Sequence, residues 1–158
     1  MKEKKAVSSS QVVMTQLVLP THTNALDTVF GGTVMSWIDI AGAIAAQRHS
    51  ATDVVTASID QLNFIAPIRK GWVVNLKASV NFTSRTSMEI GVRVDAENPK
   101  TSEMFHTASA YMTFVALGSD GRPSPIPGLI FESDIEKRRF AAAEKRRAQR
   151  LANKNNDS

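Results

Sequence analysis

Residues 21–50 read THTNALDTVFGGTVMSWIDIAGAIAAQRHS, and this stretch decides the fold. A polar turn containing Asn24 and Asp27 leads to the glycine pair Gly31-Gly32. Apolar residues then occupy almost every side of a helix that we expect from about residue 32 to 48. A helix that is hydrophobic all round is typical of a protein interior. Its one carboxylate, Asp39, is costly to bury unless it is paired or used in chemistry.

The composition is that of one globular domain. The chain has 158 residues and a formal net charge of +4, with 42% hydrophobic and 22% charged residues. The apolar run around Asp39 is too short to span a bilayer. The absence of cysteine excludes a disulfide framework and a thiolate nucleophile. The opening MKEKKAVSSS lacks the apolar core of a signal peptide, so we expect a cytoplasmic protein.

Five segments have the pattern of β-strands, and all but the first follow the apolar helix. They are residues 11–19, 53–64, 73–83, 88–96 and 103–117. Residues 73–83 and 88–96 alternate between apolar and polar side chains, which indicates half-buried antiparallel strands. Residues 84–87 are short enough to be a hairpin loop. The last segment would be about 45 Å long, so it must curve or bulge.

This order of elements predicts an α+β fold, an antiparallel sheet of about five strands wrapped around one central buried helix. We assign residues 11–130 to this domain and residues 131–158 to a basic C-terminal helix and tail. Ser133-Asp134-Ile135-Glu136 is a capping box that opens the basic helix, which we expect to end near residue 151. We expect disorder in residues 1–10 and 152–158, and solvated basic side chains at both ends. Because five strands cannot close around a helix, we expect a second copy to cover the open face.

Three motifs in the chain occur in the order known from one protein family. They are the residues from Asn24 to Gly42, VTASIDQLNF at 55–64 and SRTSMEIGV at 84–92. Together they resemble the hotdog-fold acyl-CoA thioester hydrolases, in the cytosolic acyl-CoA hydrolase and YciA-like branch. Asp27 stands where many relatives have glycine, which adopts a left-handed backbone more readily. Phe30 stands where many have histidine, and phenylalanine is usual in the YciA-like members.

The resemblance implies that the chain hydrolyses acyl-CoA to a fatty acid and coenzyme A. Asp39 would be the general base or the nucleophile, and Asn24 would orient the water or the carbonyl. The helix start at Gly32 offers free N–H groups and the positive end of the helix dipole to a developing oxyanion. Gly32 and Asp39 lie two helical turns apart, or about 10 Å, so one chain cannot bring both to one thioester carbon. The resemblance implies a homodimer at least, and it allows a trimer of dimers, which is a hexamer.

The resemblance also places two loops near the coenzyme A part of the substrate. Together with Gly31, the residues concerned are Arg69, Lys70, Ser84, Arg85, Thr86 and Ser87. Arg85 is the strongest candidate, because a guanidinium suits a phosphate. Solvated loop charge is the alternative for Arg85 and Lys70. We find no spacing typical of metal ligands and expect no cofactor, since coenzyme A is part of the substrate and product.

Other interpretations of the same residues remain open. Asp39 could be a structural carboxylate that accepts hydrogen bonds from backbone N–H groups or from a serine or threonine. Asn24 could stabilise an Asx-turn, and this role is compatible with catalysis. The alternative function is a hotdog protein that binds acyl-CoA as a sensor or carrier without hydrolysing it. A nucleic-acid partner is disfavoured, because residues 132–150 mix glutamate with the basic side chains and contain one aromatic residue.

Overall fold

The computed structural model describes residues 2–156, in which a five-stranded sheet curves around a long helix and a second sheet has two short strands. In chain order the elements are β1 (Lys5–Ala6), β2 (Val12–Leu17), α1 (Gly31–Ser50), β3 (Asp53–Phe64), β4 (Val73–Thr83), β5 (Ser87–Asn98), β6 (Glu103–Leu117), β7 (Leu129–Ile130) and α2 (Asp134–Asn156). The main sheet has the strand order β2-β4-β5-β6-β3, with every neighbouring pair antiparallel. The predicted α+β hotdog architecture is confirmed.

The inner face of the sheet packs against α1, as the alternating sequence pattern predicts. Leu76, Ile90 and Met112 lie on neighbouring central strands and are fully buried. Gly42 allows the closest approach, because a Cβ there would stand 3.0 Å from both the Met112 sulfur and the Phe114 ring. The middle of α1 therefore lies directly against the sheet.

The sheet leaves one side of α1 uncovered, as expected for five strands that cannot close around a helix. Met35 is 38% exposed and Ile40 is 49% exposed, while Asp39 is half-buried. These residues share one face with Gly32, since positions i, i+3, i+7 and i+8 lie on one side of a helix. A five-stranded sheet curves over only part of a helix circumference. We call Gly32, Met35, Asp39 and Ile40 the open stripe of α1.

The longest strands are irregular, as predicted for residues 103–117. The pairing of β5 with β6 shifts between Val94 and Asp95. In β3 the register shifts between Thr56 and Ser58, and again between Asp60 and Asn63. These shifts change which side chains of the edge strand face α1 and which face outward.

The predicted disorder of residues 1–10 is wrong for Lys5–Ser10. β1 pairs in parallel with β7, and Val7 in the following 3-10 turn is buried at 2% exposure. Two residues of strand carry no detectable periodicity, which is why the sequence pattern did not predict this pairing. At the other end α2 continues to Asn156, beyond the expected end near residue 151. Residues 2–4 have no regular secondary structure, and the rest of the two predicted tails, Met1 and residues 157–158, lies outside the described residues.

The C-terminal helix α2 crosses the outer face of the sheet, so its charges are only partly solvated. Phe140 contacts Phe82 with 4.8 Å between ring centroids, and Ala143 is buried. Arg146 binds the buried carboxylate of Glu89 through two nitrogens, each 2.9 Å from an oxygen. The predicted capping box begins the helix, where the N–H of Glu136 donates to the Ser133 hydroxyl at 3.2 Å. Within residues 2–156, no helix combines the length and apolar character needed to cross a bilayer.

Candidate functional site

The turn before α1 is organised by the side chain of Asn24. Its Oδ1 accepts hydrogen bonds from the N–H of Leu26 at 2.9 Å and from the N–H and hydroxyl of Thr28 at 3.3 and 3.2 Å. Asn24 therefore has the Asx-turn role that the sequence allowed. Because donors occupy the oxygen, the amide group is held in one orientation. Its NH2 donates to no other group in the described part of the chain and can donate to a ligand.

Asp27 adopts the left-handed conformation that glycine provides in many relatives, with φ 59°. Its carbonyl accepts the N–H of Lys70 at 3.1 Å, and its carboxylate lies 3.6 Å from the Lys70 ammonium. Val29 also donates its N–H to the carbonyl of Ile68 at 2.8 Å, and Thr28 forms an isolated bridge with Arg69. The predicted ligand residues Arg69 and Lys70 therefore lie beside Asn24.

The start of α1 presents uncapped backbone N–H groups. Phe30 is the N-cap residue and provides no side-chain hydrogen bond, and Gly31 and Gly32 are exposed. Neither glycine donates its N–H to another group within residues 2–156. The Phe64 ring lies 3.7 Å from where a Gly31 Cβ would stand. An apolar cleft of about 280 Å³ adjoins this helix start, between α1 and the chain that leaves β3. An anion placed here would meet free N–H groups and the helix dipole.

Asp39 accepts one short hydrogen bond from the strand beside it. The Thr56 hydroxyl donates to Asp39 Oδ1 at 2.6 Å. Oδ2 accepts no hydrogen bond from the described residues, so it remains available to a water molecule. This arrangement also fits the structural alternative for Asp39, in which a threonine satisfies the carboxylate. Thr56 is not among the predicted site residues, although it lies in one of the quoted motifs, because the strand register decides which side chains of β3 face α1.

The second predicted loop, residues 84–87, forms a tight hairpin. The hydroxyls of Ser84 and Ser87 bind each other at 2.7 Å, and the N–H of Ser84 donates to the Ser87 carbonyl at 2.9 Å. The carbonyl of Thr86 accepts the N–H of Ala116 at 2.9 Å. Arg85 is exposed, and its guanidinium has no partner among the described residues. The hairpin therefore holds Arg85 outward with its hydrogen-bonding capacity unused.

The predicted site residues divide into separate groups in one chain. Asn24, Gly31, Gly32, Arg69 and Lys70 lie together at one end of the sheet, and Asp39 lies two turns along α1. The hairpin at residues 84–87 lies at the other end of β4, whose 11 residues span roughly 35 Å. Ser87 pairs with Val115, which also pairs with Val55 near the start of β3. A single chain therefore does not bring all the predicted residues to one ligand.

The three histidines lie in local structural contacts. His49 is fully buried, and its Nε2 donates to the Pro127 carbonyl at 2.8 Å, which leaves a buried Nδ1 without a partner in the described chain. Burial lowers the pKa of His49; the bond to Pro127 opposes this shift and the nearby Lys5 ammonium adds to it. His22 accepts the N–H of Leu19 at 3.0 Å, and His106 lies 3.3 Å from Asp95.

Comparison with known proteins places this fold and motif set in one family. The thioesterase superfamily model matches residues 26–103. The chain is 40% identical to the Bacillus subtilis protein named uncharacterized acyl-CoA thioester hydrolase YkhA, over 85% of this chain and 78% of that protein. It is 41% identical to the mouse cytosolic acyl coenzyme A thioester hydrolase, over 87% of this chain. The chain spans about 37% of the length of that mouse protein.

Solved structures give the same result. An apo-hexameric acyl-CoA thioesterase is 38% identical with a TM-score of 0.92, covering 96% of this chain and 97% of the other. A Staphylococcus aureus acyl-CoA hydrolase, solved with butyryl coenzyme A, coenzyme A and coenzyme A disulfide, is 36% identical with a TM-score of 0.86, covering 97% and 96%. Variants of that protein with alanine in place of an aspartate, an asparagine or a threonine have also been solved. The chain described here therefore belongs to the thioesterase superfamily, in the family of the acyl-CoA thioester hydrolases.

Proposed function

We propose that this chain hydrolyses acyl-CoA thioesters to a free carboxylic acid and coenzyme A. The observation that carries the proposal is the position of Asp39, a half-buried carboxylate on the open stripe of α1 whose Oδ1 is held by Thr56. A threonine bond to one oxygen fixes the carboxylate and leaves the other for water. The names of the relatives support the same reaction class.

We infer that Asp39 acts as the general base, with direct nucleophilic attack as the alternative. In the first case Oδ2 removes a proton from a water molecule while the water oxygen attacks the thioester carbonyl carbon. The carbonyl oxygen gains the negative charge and accepts hydrogen bonds from the N–H groups of Gly31 and Gly32 and from the amide of Asn24. Collapse of the tetrahedral intermediate breaks the carbon–sulfur bond, and the proton held by Asp39 passes to the leaving sulfur, which releases coenzyme A and restores the carboxylate. One well-placed donor of this kind contributes about 3 kcal/mol.

The composite site requires a second copy of the chain. Two α1 helices that pack antiparallel through their open stripes would bring Asp39 of one chain to Asn24 and Gly32 of the other. The same twofold arrangement brings the hairpin at residues 84–87 of one chain toward the Arg69-Lys70 end of its partner. Arg85 would then contact a coenzyme A phosphate. A hexamer built from three such dimers is the assembly we propose, in line with the hexameric thioesterase of similar structure.

The variants solved for the Staphylococcus aureus protein support these residues. Its substituted asparagine precedes the substituted aspartate by 15 positions, and the threonine follows the aspartate by 17. Asn24, Asp39 and Thr56 have the same intervals in this chain. We therefore assign the three residues to one catalytic set, with Thr56 as a positioning residue for Asp39.

Thiol release from a series of acyl-CoA substrates of increasing chain length tests the proposal. The wild-type chain should release coenzyme A, and Asp39→Asn should lose at least about 10²-fold in kcat while its fold and oligomeric state remain unchanged. Tight binding of acyl-CoA without thiol release by the wild type would instead establish the alternative, a sensor or carrier. Wild-type kcat in Asp39→Asn would refute the role of the carboxylate.

A further inference from the structure

A second concave surface lies on the opposite face of the sheet from α1. It is a groove of about 790 Å³ between β2 at the edge of the sheet and the first half of α2. Ser79, Gly91 and Ser109 form its floor, on three neighbouring strands. None of the groups proposed for thioester hydrolysis lines this groove. We call it the outer groove.

The outer groove is lined by cations and by no carboxylate. Lys77 and Arg93 rise from the sheet, and Arg138, Arg139 and Arg146 face it from α2. Two of these guanidinium groups have carboxylate partners outside the lining, because Arg93 binds Asp95 at 3.1 Å and Arg146 binds Glu89. The other three cations have no ion pair among residues 2–156.

The groove brings like charges together, and the described carboxylates neutralise only two of the five cations. Lys77 and Arg93 stand directly opposite each other on β4 and β5. Like charges in this position repel and destabilise a sheet. Arg138 and Arg139 add positive charge from the other wall, and the groove concentrates their field. A multiply charged anion would remove this repulsion and would gain hydrogen bonds from the cations and from the hydroxyls of the floor.

We propose that the outer groove binds a small molecule carrying a diphosphate or triphosphate group. Phosphate chemistry fits because guanidinium and ammonium groups from two walls converge on one concave space. The volume exceeds what phosphates alone require, so an organic part would lie toward the apolar edge at Val13, which is 69% exposed. The diphosphate can come from coenzyme A or from a separate phosphorylated molecule, and the experiment distinguishes these sources.

Titration calorimetry with inorganic tripolyphosphate at constant ionic strength tests the site on the full-length protein. The double variant Lys77→Gln/Arg139→Gln should weaken tripolyphosphate binding at least about tenfold, because it removes two charge-assisted interactions. Lys137→Gln/Lys145→Gln is the matched control, since it removes the same charge from exposed positions on α2 outside the groove. The control should keep wild-type affinity.

The same variants identify the source of the phosphates. If coenzyme A uses the groove, the Lys77→Gln/Arg139→Gln variant should also bind coenzyme A at least about tenfold more weakly than the control. If a separate molecule uses it, coenzyme A affinity and thioester hydrolysis should stay at wild-type values while tripolyphosphate binding is lost. Equal weakening in the two variants, or no tripolyphosphate binding by the wild type, would overturn the site. A groove-dependent preference for a single-stranded oligonucleotide over tripolyphosphate would overturn the ligand class.

Discussion

The hydroxyl of Thr56 and the carboxylate of Asp39 form the shortest contact in the candidate site, at 2.6 Å. Replacing Thr56 with valine keeps the shape of the side chain and removes the donor. A hydrogen bond to a charged group contributes about 1.5–3 kcal/mol, so kcat should fall about 10- to 100-fold. KM should change much less, because the carboxylate acts on water rather than on coenzyme A. Steady-state thiol release measures both constants.

Two further variants separate positioning of Asp39 from a general effect on folding. Thr56→Ser keeps the hydroxyl and should recover most of kcat. Thr113→Val makes the same exchange at a half-buried threonine whose buried Oγ1 has no partner within residues 2–156, so kcat should be unchanged and stability should not fall. A normal kcat in Thr56→Val would show that the bond to Asp39 does not contribute to catalysis.

His49 predicts a dependence of stability on pH. Its pKa is lowered in the folded state by burial, whereas an unfolded chain takes up the proton near pH 6.5. The contribution of neutral His49 is therefore fully present above pH 6.5 and is lost as the pH falls below that value. The free energy of unfolding of the wild type should drop more between pH 7.5 and 5.5 than that of His49→Gln. Equal losses in urea titrations at the two pH values would contradict this.

The helix α2 is joined to the sheet by an ion pair between Arg146 and Glu89. Removal of Arg146 leaves the carboxylate of Glu89, which is 4% exposed, without its bidentate partner. Breaking a fully buried pair costs about 3–5 kcal/mol. Because the Arg146 side chain is 18% exposed, we expect about 2–3 kcal/mol for Arg146→Met in urea unfolding.

The double variant Glu89→Met/Arg146→Met should recover part of that loss, since no buried charge is left unpaired, while the buried amide of Asn81 loses its acceptor on Glu89. Arg147→Met is the control on the same helix, where the guanidinium lies 5.9 Å from the Phe82 ring and makes no ion pair in the described chain. If the double variant lost as much stability as Arg146→Met, packing of the Arg146 side chain rather than its charge would stabilise α2.

The sequence predicts the elements that form through interactions between residues close together in the chain. β3, β4 and β6 were predicted with the bounds that the structure has, because apolar alternation is a local property of each strand. The contact between Thr56 and Asp39 depends on a strand register, and the pair of Arg146 with Glu89 joins residues 57 positions apart. Such contacts depend on the tertiary structure, which no local pattern in a single sequence encodes.

The candidate site shows the same limit. Family motifs indicated Asn24, Gly32 and Asp39 as catalytic residues, and these three roles stay predictions. The family resemblance placed Arg69-Lys70 and the hairpin with Arg85 near one ligand, although the two loops lie at opposite ends of β4. That separation follows from the length of β4, whose 11 residues span roughly 35 Å, and it makes the assembly of chains part of the question.

For the whole molecule, mixing two inactive variants tests whether the site is shared between chains. Hybrid dimers of Asp39→Asn with Asn24→Ala would contain one site with both residues intact and one site with neither. Random reassortment makes half of the dimers hybrid, so co-expression with separate tags should restore about a quarter of wild-type activity. If Asp39 and Asn24 acted within one chain, every site in the mixture would carry one substitution, and no activity would return.

Gly42 allows the short distance between α1 and the sheet, and this distance limits the substitutions that the fold tolerates. Even an alanine would press on the Met112 sulfur and the Phe114 ring, because its Cβ would lie 3.0 Å from both. The strain would be relieved by lifting α1, and Asp39 is one turn away on the same helix. Position 42 is therefore constrained by catalytic geometry, although its residue faces the core. Variants that enlarge the interior should carry substitutions of Met112 or Phe114 rather than of Gly42.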